Sequence, residues 1–367
     1  MGRSTTIKDI AKVAGVSHTT VYRALNDKPR ISLSTKERIV SIARRYNYQP
    51  NVLAQSLVLG RTRTLGLVIT TIVNPFYTEL AKGIEDTARS LGYTIFLCST
   101  NFDISLERLY IDMLRSRGVD GIIFTSAHTH DPNITRLVED QFPLILVNRR
   151  VYGDPVMERT DYVVVDNIRG GFLAVEHLIK MGHERIGVIS GSSDSSAAVE
   201  RLEGARKAFA EYRLDPADLL VVEGDFLKPS GYEAAKKFLS LRDPPTAIFG
   251  LNDYMALGAY EAILDAGLRV PEDGALIGFN NITFSAMRGI ELTTIGQKKY
   301  EMGSVAVYIL IDRIEGRDGE TVKQVTLEPE LIIRRSCGYH LRGYVVPLPL
   351  PSSQGEFKTK EGHHGKE

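Results

Sequence analysis

The stretch GVSHTTVYRALN, residues 15–26, predicts a short helix with one polar and one apolar side. Ser17 stands where a helix N-cap is expected, and Gly15 permits a tight turn before it. The apolar side consists of residues at helical spacing, namely Val21, Ala24 and Leu25. The outward side carries an imidazole, a hydroxyl, a phenol and a guanidinium, from His18, Thr19, Tyr22 and Arg23.

A second helix precedes this stretch, with Thr6 placed as its N-cap. Its apolar residues recur at three- and four-residue spacing: Ile7, Ile10, Ala11 and Ala14. Because Ala11 and Ala14 are small, the two helices can approach closely, as a helix-turn-helix requires. A third amphipathic segment follows, with Ile39, Ile42 and Ala43 as its inner face. Residues 1–50 are therefore predicted to form a helix-turn-helix domain.

The distribution of charge indicates what the polar side of this domain contacts. Residues 1–63 contain 12 Lys or Arg and three Asp or Glu, whereas the whole chain contains 45 of each kind. A solvated helical surface does not need this excess of positive charge, but a phosphate-binding module does. Charge and helical pattern together favour DNA binding over a plain helical surface.

The next segment, YQPNVLAQSLVLGRTRT, spans residues 48–64 and combines a Pro-Asn break, a few helix-forming residues and a Gly-Arg-Thr-Arg linker. Leu53, Ala54 and Leu57 would share one side of a helix of about nine residues, which is too short to be stable alone in water. The segment is either an ordinary linker or a helix that forms only when it is paired and buried. We assign residues 51–63 to a hinge helix and linker.

The stretches TIKDIAKVAGVSHTTVYRALNDKPRIS, YQPNVLAQSL and GRTRTLGLVI resemble the DNA-binding head and hinge of LacI/GalR-family transcription regulators. The resemblance implies a homodimer or higher oligomer on a pseudo-palindromic operator, with Leu57 as a wedge in the minor groove. Two positions depart from the family pattern, which often has a basic residue at Val58 and usually a small hydroxyl residue at Tyr22. The predicted DNA-binding residues are Thr6, Ser17, His18, Thr19, Thr20, Tyr22, Arg23, Asn26, Asn51, Ala54 and Leu57.

Between residues 65 and 295, short apolar runs such as LGLVIT and YVVVD alternate with amphipathic helical segments. Near-continuous apolar runs suit strands buried on both faces of a parallel sheet. The repeated β-α pattern predicts two doubly wound α/β sheets of about five or six strands with a ligand cleft between them. This two-lobed core resembles the effector domain of the same regulators, which is similar to periplasmic sugar-binding proteins.

The predicted boundaries follow from these patterns and from composition. The core takes residues 64–340, with lobe 1 at about 64–165 and 297–325 and lobe 2 at about 166–295 and 326–340. Residues 341–367 are polar and rich in Pro, Gly and Ser, which predicts a disordered tail.

Polar and aromatic side chains follow the predicted strands, where ligands of open α/β sheets bind. An aromatic pair with amides, a guanidinium and a carboxylate suits a polyhydroxylated ring, although any one of these residues also suits a turn or a helix cap. The predicted effector-binding residues are Phe76, Tyr77, Asn148, Arg149, Asp166, Arg201, Phe226, Asn252, Asn280 and Gln297.

The resemblance places Arg201, Asn252 and Gln297 at matching positions of the family's effector site. Asn148 and Asn280 stand where sugar-responsive members commonly have aspartates. The loss of two negative charges near Arg149, Arg150 and Arg201 favours a ligand with a carboxylate or phosphate. The alternative is a neutral sugar held by amides.

Other classes of protein are disfavoured. No apolar run approaches the roughly 18 residues of a membrane span, and no signal-peptide core is present, so a cytoplasmic, nucleoid-associated bacterial protein is expected. Cys98 and Cys337 support no disulfide framework, and the pair His128 and His130 lacks a third metal ligand. Neither a metal nor a cofactor is predicted. No nucleophile elbow, phosphate loop or dinucleotide fingerprint indicates an enzyme.

The sequence thus predicts a sequence-specific DNA-binding transcriptional regulator, a repressor controlled by a small carbohydrate or sugar derivative in the inter-lobe cleft. The alternative is a solute-binding or sugar-processing protein with an accessory DNA-binding head. A secreted solute-binding protein would need a signal peptide and would have no use for a basic three-helix head.

Overall fold

A computed structural model of the chain describes residues 5–25, 27–48, 60–153, 155–317, 319 and 321–342. Its N-terminal part consists of three helices: α1 (Ile7–Ala14), α2 (His18–Leu25) and α3 (Leu33–Arg45). They share a small core of buried side chains, formed by Ile10, Ala11, Ala14, Val21, Ala24 and Ile39. The alanines that the sequence places between α1 and α2 are buried there, and the predicted helix-turn-helix is confirmed.

The caps of these helices follow the predicted chemistry. Thr6 and Asp9 form a capping box at α1, in which the Thr6 N–H donates to Asp9 Oδ2 (2.8 Å) and the Asp9 N–H donates to Thr6 Oγ1 (3.3 Å). Gly15 ends α1 at φ 65°, a conformation that glycine adopts without strain. Ser17 Oγ accepts the backbone N–H of Thr20 (3.1 Å) at the start of α2.

The first sheet has six parallel strands in the order β11-β5-β4-β3-β1-β2. These strands are β1 (Thr64–Ile69), β2 (Thr94–Ser99), β3 (Gly121–Phe124), β4 (Leu144–Val147), β5 (Asp161–Val165) and β11 (Gln324–Leu327). The helices of this part are α4 (Phe76–Ser90), α5 (Ile104–Ser116), α6 (Pro132–Glu139) and α11 (Lys299–Glu315).

The second sheet repeats this design in the order β12-β10-β9-β8-β6-β7, with β12 antiparallel to β10. Its strands are β6 (Ile186–Ser190), β7 (Leu219–Glu223), β8 (Ala247–Gly250), β9 (Ala275–Asn280), β10 (Thr293–Gly296) and β12 (Glu330–Ile332). Its helices are α7 (Asn167–Lys180), α8 (Ser196–Glu211), α9 (Lys228–Leu239) and α10 (Asp253–Asp265). The predicted pair of doubly wound sheets is confirmed.

Two strands depart from the expectation of burial on both faces. β3, β4, β6 and β8 are buried throughout, but most residues of β2 and β7 are exposed or half-buried. The cause is their position, since each forms one edge of its sheet. Apolar residues in an edge strand look like a buried run in the sequence because strand order is not local information.

The chain divides into two compact units. Unit 1 comprises Met1–Asp166, Ser193–Ala197 and Lys298–Glu328, and unit 2 comprises Asn167–Ser192, Ala198–Gln297 and Pro329–Glu367. Unit 1 therefore holds the first sheet together with the N-terminal helices, and unit 2 holds the second sheet. The short return of residues 193–197 to unit 1 has no counterpart in the sequence prediction.

Candidate functional site

The outward side of α2 is the candidate DNA-contacting surface. His18, Thr19 and Arg23 are exposed and Tyr22 is half-buried, because the buried residues of α2 lie on its opposite side. These side chains belong to residues 1–63, which contain 12 Lys or Arg and three Asp or Glu. An exposed helix face with a guanidinium, an imidazole and hydroxyls can donate to and accept from base edges in a major groove.

Three more predicted DNA-binding residues lie at helix N-termini. Thr6 caps α1, and the Ser17 and Thr20 hydroxyls lie 2.9 Å apart at the start of α2. Helix N-termini attract phosphate through their free N–H groups and their dipole. The predicted contacts Asn26, Asn51, Ala54 and Leu57 and most of the predicted hinge lie outside the described residues.

Arg201 lies on α8 and is buried at the strand ends of the second sheet. Its Nε donates to Asn167 Oδ1 (2.9 Å), and its Nη1 donates to the carbonyl of Leu251 (2.7 Å). The guanidinium carbon lies 3.7 Å from the centroid of the Phe279 ring, a stacked cation–π geometry. Arg201 thereby links the start of α7, the end of β8 and the end of β9. Arg201 therefore lies at the carboxyl ends of the strands, where the sequence analysis expects ligand-binding side chains.

The Asn252 side chain makes two hydrogen bonds to the protein backbone. Its Oδ1 accepts the Met255 N–H (2.7 Å) and caps α10, while its Nδ2 donates to the carbonyl of Phe226 (2.9 Å). Phe226 is buried in the left-handed conformation, at φ 67°. Asn252 therefore fixes the turn that presents Phe226, and both ends of its amide take part.

Asn280 and Gln297 meet at the ends of the neighbouring strands β9 and β10. Gln297 Nε2 donates to Asn280 Oδ1 (2.6 Å), and both side chains are buried. Gln297 Oε1 has no hydrogen-bond partner among the described residues. A buried polar atom left in this way costs free energy of about 1–3 kcal/mol, so a donor that reached it would be favoured.

Asp253 is a buried residue at this edge that does not belong to the predicted effector-binding set. Its Oδ1 accepts from Thr294 Oγ1 (2.5 Å), and its Oδ2 accepts from Ser285 Oγ (2.7 Å) and the Ile282 N–H (2.8 Å). It connects β10 to the loop that follows β9. The available signal was an acidic residue directly after a buried strand and an amide N-cap.

In unit 1, Phe76 and Tyr77 are buried at the end of β1. Their rings pack edge to face with centroids 5.1 Å apart. The Tyr77 hydroxyl donates to Thr70 Oγ1 (3.0 Å), and the Phe76 N–H donates to Asn74 Oδ1 (3.0 Å). The aromatic pair that the sequence predicts is therefore formed and held by the polar residues of the same loop.

The other predicted residues of unit 1 follow β4 and β5. Asn148 is buried at φ 68°, and its Oδ1 has no partner within the described part of the chain. Arg149 is buried with its guanidinium carbon 6.0 Å from the centroid of the Phe102 ring. Asp166 is half-buried, and its N–H donates to the Leu327 carbonyl (2.9 Å). Unit 1 thus offers a second buried amide oxygen that lacks a donor.

A buried carboxylate that the sequence reasoning missed lies near these residues. Glu107 on α5 is 1% exposed, and it accepts from Ser126 Oγ and from Asn133 Nδ2 (3.1 Å). Burial raises the pKa of Glu107 to about 7, and the negative Asp131 adds to the rise, while its two hydrogen bonds and Arg149 oppose it. Glu107 therefore changes its charge near neutral pH.

The remaining sequence candidates have ordinary surroundings. His128 is half-buried and His130 is exposed, and within the described ranges no three His, Cys, Asp or Glu side chains converge as metal ligands do. Cys98 and Cys337 are both buried free thiols. Every helix of the described ranges is too short or too polar to cross a bilayer.

Comparison with known proteins assigns both parts of the chain. A family described as "Bacterial regulatory proteins, lacI family" matches residues 6–51, and one described as "Periplasmic binding proteins and sugar binding domain of LacI family" matches residues 62–335. The HTH-type transcriptional repressor PurR of Aliivibrio salmonicida (strain LFI1238) is 36% identical over 332 residues, which cover 90% of this chain and 98% of that protein.

Solved structures agree with the fold. A complex of the transcriptional regulator CelR with cellobiose matches with a TM-score of 0.69 and 32% identity, covering 90% of this chain and 99% of that one. The Lac repressor dimer bound to operator and the anti-inducer ONPF matches with a TM-score of 0.81 and 26% identity, covering 91% and 99%. These relatives are named as transcriptional regulators and repressors, which is the class that the sequence predicted. The chain belongs to the LacI family of bacterial DNA-binding transcriptional regulators.

Proposed function

We propose that the protein is a repressor whose N-terminal domain reads a pseudo-palindromic operator as a homodimer. His18, Thr19 and Arg23 would contact base edges, with Arg23 donating to a guanine. Thr20, Tyr22 and Asn26 would contact phosphates, and Thr6 and Ser17 would place helix N-termini toward the backbone. The exposed polar side of α2 in a segment with 12 basic and three acidic residues carries this proposal.

An Arg23→Ala variant tests the assignment of base contacts. Loss of a bidentate contact to guanine should cost about 1–3 kcal/mol of binding to the operator and relax specificity at one base pair. The measurement is a titration of a duplex selected by the parent protein and of a scrambled duplex of equal composition. Unchanged discrimination between the two duplexes would contradict the role of Arg23.

We further propose that residues 51–63 form a hinge between a DNA-binding domain at residues 1–50 and a core at residues 64–340. Asn51, Ala54 and Leu57 would enter the minor groove, with the Leu57 side chains of two subunits wedged between base pairs. Support comes from the sequence, whose short Leu-Ala-Leu stripe needs a partner to be stable. A location at the nucleoid of the bacterial cytoplasm is part of the same proposal.

The effector proposal rests on the strand-end side chains. A small carbohydrate or sugar derivative would be bound by Arg201, Asn280 and Gln297 of unit 2, with Phe226 and Asn252 shaping the site. The predicted residues of unit 1 remain in the proposed set: Phe76, Tyr77, Asn148, Arg149 and Asp166.

The observation that carries the effector proposal is the lack of donors to two buried amide oxygens, Gln297 Oε1 and Asn148 Oδ1, within the described residues. A sugar hydroxyl can donate to an amide oxygen of either kind. Buried guanidinium groups at Arg149 and Arg201 favour a derivative with a carboxylate or phosphate over a neutral sugar.

Calorimetry distinguishes these ligand classes. The panel comprises neutral sugars, sugar acids and sugar phosphates, titrated into the parent, an Arg201→Ala variant and a Lys207→Ala control on the exposed side of the same helix. We expect one class to bind the parent, the control to match it, and Arg201→Ala to lose affinity. Unchanged affinity of a folded Arg201→Ala variant would show that the site is misplaced. Hydrolysis of a glycoside from the panel would instead favour a sugar-processing protein.

A further inference from the structure

Hydrogen bonds to Asp120 hold residues 62 and 63, which directly precede β1 of the first sheet. The Asp120 carboxylate accepts the backbone N–H of Thr62 at Oδ1 (2.9 Å) and that of Arg63 at Oδ2 (2.7 Å). The Asp120 N–H in turn donates to the carbonyl of Thr64 (2.8 Å). Asp120 directly precedes β3, so one residue of that strand's entry holds three consecutive residues of the linker and β1.

Two further bonds fix the same segment. Thr62 Oγ1 donates to the carbonyl of Gly118 (2.7 Å), and the Thr94 N–H at the start of β2 donates to the carbonyl of Arg63 (2.9 Å). Arg63 has φ 53°, a left-handed conformation that arginine adopts rarely and that persists only where its surroundings hold it. The segment is therefore ordered by contacts that strand pairing alone does not require.

The Asp120 carboxylate accepts both backbone N–H groups of this segment. Thr62 and Asp120 are half-buried and Arg63 is exposed, so without the carboxylate the two N–H groups would turn to water. Hydrogen bonds to a charged acceptor are roughly twice as strong as those between neutral groups. A neutral amide at position 120 would offer one acceptor oxygen in place of two and would face the other N–H with its own donor.

We infer that Asp120 is a positioning residue for operator binding, because it fixes the point at which the linker leaves the core. Residues 62 and 63 would otherwise join the linker and lengthen its reach by up to roughly 7 Å. Segments ordered before binding need not be ordered when the complex forms. The inference rests on the proposed division into head, linker and core.

The expected loss of operator affinity in Asp120→Asn can be estimated from the conformational entropy of the backbone. Ordering one backbone residue corresponds to a roughly five- to thirtyfold change in an equilibrium constant. We therefore expect Asp120→Asn to bind a duplex selected by the parent at least fivefold more weakly. Affinity for a scrambled duplex should not change, since that binding depends on charges of the head.

The experiment uses the full chain in three forms: parent, Asp120→Asn and the control Asp112→Asn. Asp112 lies on α5 of the same unit, in an exposed ion pair with Arg136 (3.3 Å). Hydrogen exchange of the backbone amides of residues 62 and 63 in the free protein measures how firmly Asp120 holds them. Titration of the selected and the scrambled duplex measures DNA binding. We expect exchange at least tenfold faster in Asp120→Asn and parent-like behaviour in Asp112→Asn.

A Thr62→Val variant gives a graded test that leaves the carboxylate in place. It removes the hydroxyl bonds of Thr62, to the Gly118 carbonyl (2.7 Å) and to Asp120 Oδ1 (3.3 Å), but keeps both backbone N–H bonds to the Asp120 carboxylate. Its amide exchange rate and its operator affinity should therefore fall between those of the parent and Asp120→Asn. This ordering supports the inference even if Asp120→Asn loses core stability.

Parent-like exchange in a folded Asp120→Asn variant would overturn the inference, as would faster exchange with parent-like affinity for the selected duplex. An error in the proposed division is seen separately, in the parent alone. Amides on the N-terminal side of Gly60 would then exchange as slowly as those of β1, and residues 62–63 would not be the end of a linker.

Discussion

Glu107→Gln should stabilise the protein at alkaline pH and leave it almost unchanged in acid. The Glu107 carboxyl is buried, accepts from Ser126 Oγ and Asn133 Nδ2, and lies near the negative Asp131. Glutamine has nearly the same shape and can accept from Asn133 while it donates to the Ser126 hydroxyl. The substitution therefore removes the cost of a buried charge and reproduces the hydrogen-bond pattern of the protonated Glu107 carboxyl, in which the Ser126 hydroxyl accepts.

The magnitude follows from the pKa of Glu107, which burial raises from 4.5 to about 7. The folded protein keeps the Glu107 proton over this range, whereas the unfolded chain releases it. The cost of burial is thus absent below about pH 4.5, grows as the pH rises, and is complete above about pH 7. At 1.36 kcal/mol for each pKa unit, the upper bound of the full cost is about 3 kcal/mol.

The assay is urea unfolding of the parent and Glu107→Gln between pH 5 and pH 8. Unfolding transitions followed by fluorescence and by circular dichroism should coincide, which tests whether unfolding is two-state. Glu139→Gln on the neighbouring helix α6 is the control, because Glu139 is exposed. The difference between Glu107→Gln and the parent should widen by up to about 2–3 kcal/mol from pH 5 to pH 8, and the control should show no such trend. A difference independent of pH, or one that widens toward acid, would refute the reasoning.

Two further variants test the hinge and the second sheet. Leu57→Ala should reduce DNA bending and operator affinity together, measured by gel mobility of circularly permuted duplexes, and parent-like bending would rule out the wedge. Gly171→Ala should lower the melting temperature, because a Cβ on Gly171 of α7 would lie 2.0 Å from the carbonyl oxygen of Arg201 on α8. An unchanged melting temperature would show that the two helices are not in such close contact at these residues.

Local pattern was sufficient to predict much of the fold. Alternating apolar runs and amphipathic segments indicate a parallel α/β sheet, and a ligand site at the carboxyl ends of its strands follows from that topology. Asn280 was predicted by this rule, since it ends a strand that the sequence already marks, whereas Arg201 and Gln297 were predicted by the rule together with the family resemblance. Their mutual contacts depend on strand order, which the sequence does not display.

The rest of the site depends on tertiary contacts. Glu107 lies on the buried side of α5 with Ile111 and Leu114. The sequence shows their helical spacing, but a charged residue at such a position usually lies at the boundary between the buried and exposed sides of a helix, so its burial could not be predicted. For Asn252 the sequence left both an effector contact and a helix cap open, and the structure shows the N-cap bond together with a bond to the Phe226 carbonyl, which the sequence does not indicate. Asp120 also needed the structure, because its partners Thr62 and Arg63 lie 58 and 57 residues away.

In the proposed function, a small carbohydrate or sugar derivative bound by the core controls operator binding by the head. The most direct test of this control is titration of the selected operator duplex with the full-length protein, with and without each member of the panel of neutral sugars, sugar acids and sugar phosphates. At least one ligand should shift operator affinity by roughly 5- to 150-fold, and a folded Arg201→Ala variant should lose that shift but keep ligand-free binding. Operator affinity that no member of the panel alters, or an undiminished shift in Arg201→Ala, would contradict the account.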